Sequence, residues 1–249
     1  MIVTDLHSAL KPYLEFTPKG QVFVLVDEHT ADSCLPILSE SMVGISYHQI
    51  VIAAGEQNKN LATVEHIWDE LISHGATRHA LLVNVGGGMV TDLGGFAAAT
   101  YMRGIRFINI PTTLLAMVDA SLGGKTGIDY QGVKNIIGTF TAPLTTLIHP
   151  NFLFKLPTTE LFSGFAEMLK HALLAGREYL TEILEMKEEM IKNDSFLTLI
   201  QKSVNYLKKE WKLLKQLDNS KKKTDSLLQT LKKLLFHSNQ KKATNTFCL

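Results

Sequence analysis

The chain has 249 residues, of which 45% are hydrophobic and 20% are charged, a composition that is ordinary for one large or two modest globular domains. No apolar run approaches the roughly 20 residues that a membrane helix needs, and the N-terminus lacks the basic-then-apolar order of a secretory signal. Only Cys34 and Cys248 are present, which indicates neither a disulfide framework nor a cysteine metal site. We therefore expect a cytoplasmic protein.

The net charge of +1 hides an uneven distribution of basic residues. Residues 201–249 hold 12 lysines, no arginine and 3 acids, whereas residues 1–150 hold 8 of the 25 lysines and arginines. Such a tail either attracts nucleic acid or an acidic membrane surface, or consists of solvated helix faces or a disordered end. The second interpretation is the simpler one, and we expect neither a nucleic acid nor a membrane partner.

Strand and helix patterns alternate along the first part of the chain. Apolar runs at residues 21–26, 47–52, 81–85 and 105–110 predict strands. Helices are predicted between and after these strands. They are a helix after the second strand, a helix at residues 90–101 and a helix at residues 114–120. The first of these has apolar positions at Leu61, Val64, Ile67, Trp68 and Leu71. This order predicts an α/β fold with a mostly parallel sheet, whose ligands bind at the carboxyl ends of the strands.

Two features at predicted strand ends are candidate ligand contacts. Asp27 follows the first strand, where an acid either hydrogen-bonds a ribose hydroxyl or caps a helix that begins at Thr30 or Asp32. Gly86-Gly87-Gly88 follows the third strand and precedes a helix of small residues. Glycines let backbone N–H groups approach an anion at a helix N-terminus. A glycine triplet also marks plain turns, so by itself it is a weak signal.

Further candidates follow in the next turns. The hydroxyls of Thr112 and Thr113 either cap a helix or bind phosphate. The run Gly123-Gly124-Lys125-Thr126 invites a P-loop interpretation, but the glycine that this motif needs five positions before Gly124 is absent. Arg103, Lys125 and Lys134 are basic residues on predicted loops near the glycine turn. They are either solvent-exposed or contacts to a polyanionic small molecule, which we favour.

A second region begins near Pro157, which precedes a predicted helix. Glu167, Lys170 and His171 are spaced three and four apart, so they share one helix face. Glu167 and His171 either supply two metal ligands or belong to a structural helix face. From residue 177 to residue 249 the chain contains neither glycine nor proline, and nothing there resembles an active-site loop.

Together these segments resemble the 3-dehydroquinate synthase family, whose architecture is shared by other sugar phosphate cyclases and by glycerol dehydrogenases. Seven blocks between residues 20 and 175 carry the resemblance, and they start at Gly55, Gly86, Tyr101, Pro111, Val118, Lys134 and Gly164. The resemblance implies an NAD-binding α/β domain over residues 1–156, an incomplete all-helical C-terminal domain that starts at residues 157–206, and an atypical lysine-rich tail over residues 207–249.

The resemblance also implies an activity. The family converts 3-deoxy-D-arabino-heptulosonate 7-phosphate, a phosphorylated sugar acid, to 3-dehydroquinate and phosphate in the shikimate route to aromatic amino acids. The family uses NAD transiently together with a divalent metal, zinc or cobalt. The resemblance also implies a homodimer.

Site residues follow from the matching blocks. The resemblance implies that Arg103, Asp119, Lys125, Lys134, Asn135 and Lys170 face the substrate, and that Glu167 is the first metal ligand. It implies cofactor contacts from Asp27, Glu56, Lys59, Gly88, Met89, Val90, Thr91, Asp92, Thr112 and Thr113, together with Lys125 and Lys134.

The sequence departs from the family in two places. Thr91 and Gly94 replace the usual glycine and alanine of the phosphate loop, and we expect little effect because both are small. The two family zinc-binding histidines have no counterpart, since His237 is the one histidine of the tail and has no glycine beside it. We hypothesise that family-like sequence ends near Tyr206 and that a shifted reading frame follows from Lys208. That hypothesis predicts weak NAD binding, no phosphate release and little retained zinc. The alternatives are another sugar phosphate cyclase and a non-catalytic nucleotide-binding remnant.

Overall fold

A four-stranded parallel sheet forms the centre of the fold in the computed structural model, which describes residues 1–185 and 194–218. The strands are β1 (Val22–Asp27), β2 (His48–Ile52), β3 (Leu81–Gly86) and β4 (Arg106–Pro111), in the spatial order β2-β1-β3-β4. They confirm the predicted strands to within one or two residues at each end. Since the order changes direction between β1 and β3, a crevice for ligands is expected at the carboxyl ends of these two strands.

Helices flank this sheet and continue after it. The helices are α1 (Leu6–Glu15), α2 (Glu28–Ser33), α3 (Leu35–Ser41), α4 (Leu61–Ser73), α5 (Gly88–Thr100), α6 (Thr158–Ala175), α7 (Arg177–Leu184) and α8 (Asp194–Asp218). A separate antiparallel hairpin consists of β5 (Lys125–Tyr130) and β6 (Val133–Phe140). None of the described helices is long and apolar enough to cross a lipid bilayer.

Strands β1, β3 and β4 are buried on both faces of the sheet, whereas the edge strand β2 has exposed side chains at Gln49 and Val51. Successive side chains of a strand point to opposite faces. In β1, Val22, Val24 and Val26 pack into one apolar cluster, and Phe23 and Leu25 pack into another. The second cluster includes the apolar face of α4, where Val64, Ile67 and Leu71 are fully buried. Burial on both faces explains why β1 and β3 read as nearly continuous apolar runs.

Residues Met1–Leu207 form one compact unit, and a second begins at Lys208. Within the first unit, α6, α7 and the first half of α8 pack together. The buried Tyr179 hydroxyl donates to the carbonyl of Leu199 at 3.1 Å and contacts the Ser203 hydroxyl at 2.5 Å. The division of the chain at residues 156 and 206 stays a prediction. The lysine-rich tail was predicted over residues 207–249; of these, residues 219–249, with His237 and Cys248, lie outside the described residues.

Candidate functional site

The glycine turn joins β3 to α5 at the carboxyl edge of the sheet. Gly87 is the N-cap of α5, and no side chain caps the helix there, so the first N–H groups of α5 can meet an anion. A Cβ on Gly86 would lie 2.5 Å from Val90 Cβ, and a Cβ on Gly87 would lie 3.1 Å from Thr113 Cγ2. The turn therefore has room for glycine but little for a larger residue.

Asp27 is the last residue of β1, which pairs in parallel with β3. It therefore lies at the same carboxyl edge of the sheet as the glycine turn. Its Oδ1 accepts hydrogen bonds from the backbone N–H of Thr30 at 2.8 Å and from the Thr30 hydroxyl at 2.9 Å. The structure thus shows the helix-capping role of Asp27. The prediction that the helix begins at Thr30 or Asp32 is wrong, because Asp27 caps a helix that already starts at Glu28. Contact with a ribose stays a prediction.

A buried lysine connects α5 to the hairpin. Lys59 is 4% exposed, and its Nζ donates to Asp92 Oδ2 and to Asn135 Oδ1, each at 2.6 Å. Burial raises the pKa of Asp92 above its usual value, although the Lys59 ammonium opposes that shift. Asn135 adopts a left-handed backbone with φ of 54°, a conformation that asparagine tolerates better than most residues. Lys59 therefore fixes two residues that were predicted to contact cofactor and substrate.

The remaining lysines of the hairpin are exposed. Lys134 Nζ lies 3.5 Å from Glu56 Oε1, which brings two predicted cofactor residues together. Lys125 is the first residue of β5, opposite Phe140. The prediction that Lys125 and Lys134 lie on loops is wrong, because Lys125 begins β5 directly after Gly124 and Lys134 lies within β6.

The segment after β4 brings hydroxyls and a carboxylate to the glycine turn. Thr112 is 2% exposed and donates its N–H to the Gly86 carbonyl at 3.0 Å. Thr113 Oγ1 accepts from the Ala116 N–H at 3.2 Å, so it caps the following turn. That turn is π-helical over Ala116–Ala120, a rare form that is frequent at functional sites. A Cβ on Gly88 would lie 3.1 Å from Ala120 Cβ, which places Asp119 next to the glycine turn.

Asp119 meets the helix face that carries Glu167 and His171. One ligand atom from each of these three residues lies within 4.8 Å of the other two. Glu167 Oε1 lies 3.7 Å from His171 Nε2 and also pairs with the ammonium of Lys170. The predicted shared face of Glu167, Lys170 and His171 is confirmed. The contribution of Asp119 was missed, because it comes from a segment about 50 residues earlier and no local spacing signals it.

His171 is held in its neutral form. The side chain is 1% exposed, and this burial lowers its pKa to about 4, with a further lowering by Lys170 and an opposing effect of Asp119. Neither ring nitrogen has a hydrogen-bond partner among the described residues. A neutral imidazole with an available lone pair is the form that binds metals.

Arg103 lies apart from these groups. It follows the C-terminus of α5, whereas the glycine turn precedes its N-terminus. Thirteen helical residues span about 20 Å, so the two ends cannot share a small ligand within one chain. The prediction that Arg103 lies near the glycine cradle is therefore wrong for the chain by itself.

Comparisons with known proteins show the family of the chain. Residues 49–163 match the sequence model of the family described as 3-dehydroquinate synthase N-terminal. The chain is 41% identical over 204 residues to the 3-dehydroquinate synthase of Parabacteroides distasonis, covering 82% of this chain and 58% of that protein. It is 46% identical over 206 residues to the 3-dehydroquinate synthase of Pyrococcus abyssi, covering 82% and 60%.

A solved structure extends the similarity to three dimensions. The 2-epi-5-epi-valiolone synthase ValA of Streptomyces hygroscopicus, which was solved with NAD+ and Zn2+ bound, matches with a TM-score of 0.77 and 30% identity. The match covers 85% of this chain and 60% of that one. The fold is therefore that of the sugar phosphate cyclases. Within them, the chain belongs to the 3-dehydroquinate synthase family. It spans about three fifths of the length of these two relatives.

Proposed function

We propose that the chain binds NAD and acts as a 3-dehydroquinate synthase on 3-deoxy-D-arabino-heptulosonate 7-phosphate in aromatic amino acid biosynthesis. The observation that carries the proposal is the glycine turn of β3 and α5, which has no side-chain cap and lies at the carboxyl edge of a parallel sheet. The identity to named 3-dehydroquinate synthases, 41–46%, exceeds the 30% identity to the valiolone synthase. This difference favours the dehydroquinate reaction over that of a sibling cyclase.

In this proposal the pyrophosphate of NAD lies against the glycine turn, where no side chain caps the first N–H groups of α5. Residues Gly88 to Asp92 would supply N–H groups to it, and Thr112 and Thr113 would flank it. Asp27, which ends β1, and Glu56, which follows β2, would reach the adenosine. When bound, NAD would accept a hydride from the substrate carbon that bears the hydroxyl, as that hydroxyl loses its proton, and would later return the hydride.

The substrate would lie between the glycine turn and α6. Asp119 and Lys170 flank this space, and Asn135 is held toward it by Lys59. Lys125 and Lys134 are exposed cations on the hairpin that would attract the substrate's phosphate and carboxylate. A divalent cation, when bound, would lower the pKa of the hydroxyl that is oxidised. Asp119, Glu167 and His171 fit such an ion, since they offer two carboxylates and an unpartnered imidazole.

Location and assembly belong to the same proposal. A cytoplasmic protein is what the composition predicts. A homodimer is supported by the exposed apolar side chains of β6, where Phe140 is 85% exposed and Ile136 is 60% exposed, because exposed apolar groups favour association. Light scattering coupled to size-exclusion chromatography measures the mass in solution directly.

NAD binding is tested by calorimetric titration of the chain and of two variants of α5. Gly87→Val fills the turn and should weaken NAD binding at least about tenfold, or by 1.4 kcal/mol. Thr100→Val, at the exposed opposite end of the same helix, should leave it unchanged. Thermal unfolding shows whether both variants are folded. Equal affinity of Gly87→Val and the parent chain would contradict the proposal.

Catalysis is tested separately by phosphate release. With NAD and zinc or cobalt added, release from the heptulosonate 7-phosphate supports the synthase. Release only from another sugar phosphate supports a sibling cyclase. NAD binding without any phosphate release supports a non-catalytic nucleotide-binding protein. The absence of phosphate release is what the hypothesis of a shifted reading frame from Lys208 predicts.

A further inference from the structure

The π-helical turn that carries Asp119 is packed closely on two sides. Just before the turn, a Cβ on Gly164 of α6 would lie 2.5 Å from Leu114 Cβ. At its end, a Cβ on Gly88 of α5 would lie 3.1 Å from Ala120 Cβ. The turn therefore lies against both helices, and a shift of its backbone would move the Asp119 carboxylate relative to both.

Ser121 closes this turn with two bonds to one carbonyl. Its backbone N–H donates to the Ala116 carbonyl at 3.1 Å, which is the i to i+5 bond of a π-helix. Its hydroxyl donates to the same oxygen at 2.7 Å. An α-helical turn would bond this carbonyl to residue 120 instead, and that register would rotate the segment that carries Asp119. The Ser121 hydroxyl therefore favours the π-helical register.

Thr146 holds the carbonyl of Ser121 from a different segment. Its hydroxyl donates to that oxygen at 3.1 Å, and the residue is 8% exposed. Thr146 is itself fixed, because its neighbours pair with β4. The Asn109 N–H donates to the Thr145 carbonyl at 3.1 Å, and the Leu147 N–H donates to the Asn109 carbonyl at 2.9 Å. The Thr146 hydroxyl thus ties the end of the π-helical turn to the central sheet.

The buried amide of Asn109 adds a weaker bond to the same carbonyl. Its Nδ2 donates to the Ser121 oxygen at 3.5 Å, which is long for a hydrogen bond. Its Oδ1 accepts from Asn84 Nδ2 at 3.0 Å. Because a carbonyl oxygen only accepts, this orientation of the two amides is the one that satisfies the network. The Ser121 carbonyl is therefore met by two buried donors, of which the Thr146 hydroxyl is the nearer.

The polar bonds stand out because the rest of the turn is apolar. Ala116, Met117 and Val118 are fully buried, and Asp119 is the charged residue of the turn. Bonded polar groups in a core rigidify it and specify one arrangement. Here the arrangement that they specify is the backbone register of the segment that carries a carboxylate.

We propose that Ser121 and Thr146 are positioning residues for Asp119, because their buried bonds keep the turn in the π-helical register that turns the carboxylate toward the substrate space. Both act through the backbone of the turn, so neither needs to touch the substrate. The role of Asp119 toward the substrate rests on the proposed function, whereas closure of the turn does not.

Hydrogen exchange tests the closure of the turn without NAD or substrate. Ser121→Ala and Thr146→Val each remove one hydroxyl with little change in volume. Each should speed exchange of the amides of residues 117–122 at least about tenfold, because opening the turn no longer breaks that bond. Thr146→Ser keeps the hydroxyl and should exchange like the parent chain.

Thr17→Val is the matched control for a lost threonine hydroxyl. Thr17 is also 8% exposed, and its hydroxyl donates to the Tyr13 carbonyl at 2.7 Å, just after α1. This variant should speed exchange at residues 13–17 and leave residues 117–122 unchanged. Ser121→Ala and Thr146→Val should show the reverse. This contrast separates closure of the turn from a general loss of stability, which would speed exchange of the turn in all three variants.

Kinetics test the positioning of Asp119. Thr146→Val and Ser121→Ala should each lower kcat/KM for phosphate release at least about tenfold, and Thr17→Val should not. With Asp119→Ala already present, the first two substitutions should lower kcat/KM less than about twofold, because they act through Asp119.

Three results would overturn the proposal. They are unchanged exchange of residues 117–122 in both Ser121→Ala and Thr146→Val, equal acceleration of these residues in Thr17→Val, and an undiminished loss of kcat/KM in the Asp119→Ala background. Absence of phosphate release from the parent chain contradicts the proposed function instead. Exchange then decides by itself whether Ser121 and Thr146 hold the turn.

Discussion

Replacing Lys59 by methionine should destabilise the fold strongly. Lys59 is 4% exposed and bonds Asp92, whose side chain is 21% exposed. Removing one partner of a buried pair leaves an uncompensated charge and costs about 3–5 kcal/mol. Because Asp92 keeps some contact with water, we expect Lys59→Met to cost about 2–4 kcal/mol in the free energy of unfolding.

The double variant distinguishes charge from packing. Burial already raises the pKa of Asp92 despite the Lys59 ammonium, which shows that desolvation of the carboxylate outweighs its attraction to the lysine. Replacing both groups by apolar ones, Lys59→Met with Asp92→Leu, should therefore cost much less than Lys59→Met alone, with a coupling of at least about 1 kcal/mol.

Urea unfolding followed by circular dichroism measures both effects. The two single variants and the double variant complete the cycle, and Lys134→Met serves as the control, since its pair with Glu56 is exposed and should contribute less than about 1 kcal/mol. A loss below about 0.5 kcal/mol in Lys59→Met, or additive losses in the double variant, would refute the reasoning.

Three further predictions concern the helices. Gly94→Ala should cost about 1–3 kcal/mol, because its Cβ would lie 2.1 Å from Asn84 Oδ1, whereas Thr100→Ala on the same helix should change urea stability by less than about 1 kcal/mol. Tyr179→Phe should cost about 1–2 kcal/mol through loss of the bonds to Leu199 and Ser203; no loss in thermal unfolding would contradict this. With chelator present, the free energy of unfolding should fall by up to about 3 kcal/mol as the pH drops from 6.5 to about 4. The reason is that the unfolded state binds a proton on His171 in this range, whereas folded His171, which faces Glu167, Lys170 and Asp119, takes up that proton only near its pKa of about 4. His171→Phe should lack this pH dependence, and an equal dependence in this variant would refute the prediction.

Local patterns predicted the sheet well, because β1, β3 and β4 are buried along nearly their whole length and end at aspartate, glycine and proline, whereas the edge strand β2 shows alternation of exposed and buried side chains over its last four residues. The spacing of Glu167, Lys170 and His171 likewise fixed a shared helix face. Sequence spacing could not place Asp119 in that cluster, since tertiary packing at Gly164 decides it. Nor could it reveal that Gly94, which departs from the family pattern, is required by the neighbouring Asn84. Arg103 was wrongly predicted to lie near the glycine turn, because its position as a basic residue on a loop does not show that the whole of α5 separates it from that turn.

The central claim is that NAD binds at the glycine turn between β3 and α5. Hydrogen exchange measured with and without NAD locates the bound cofactor directly on the chain. The predicted result is slower exchange of the backbone amides of residues 86–92 and 112–113, with no change at the far end of α5 around Thr100. Slower exchange confined to other segments, or no change at saturating NAD, would contradict the claim.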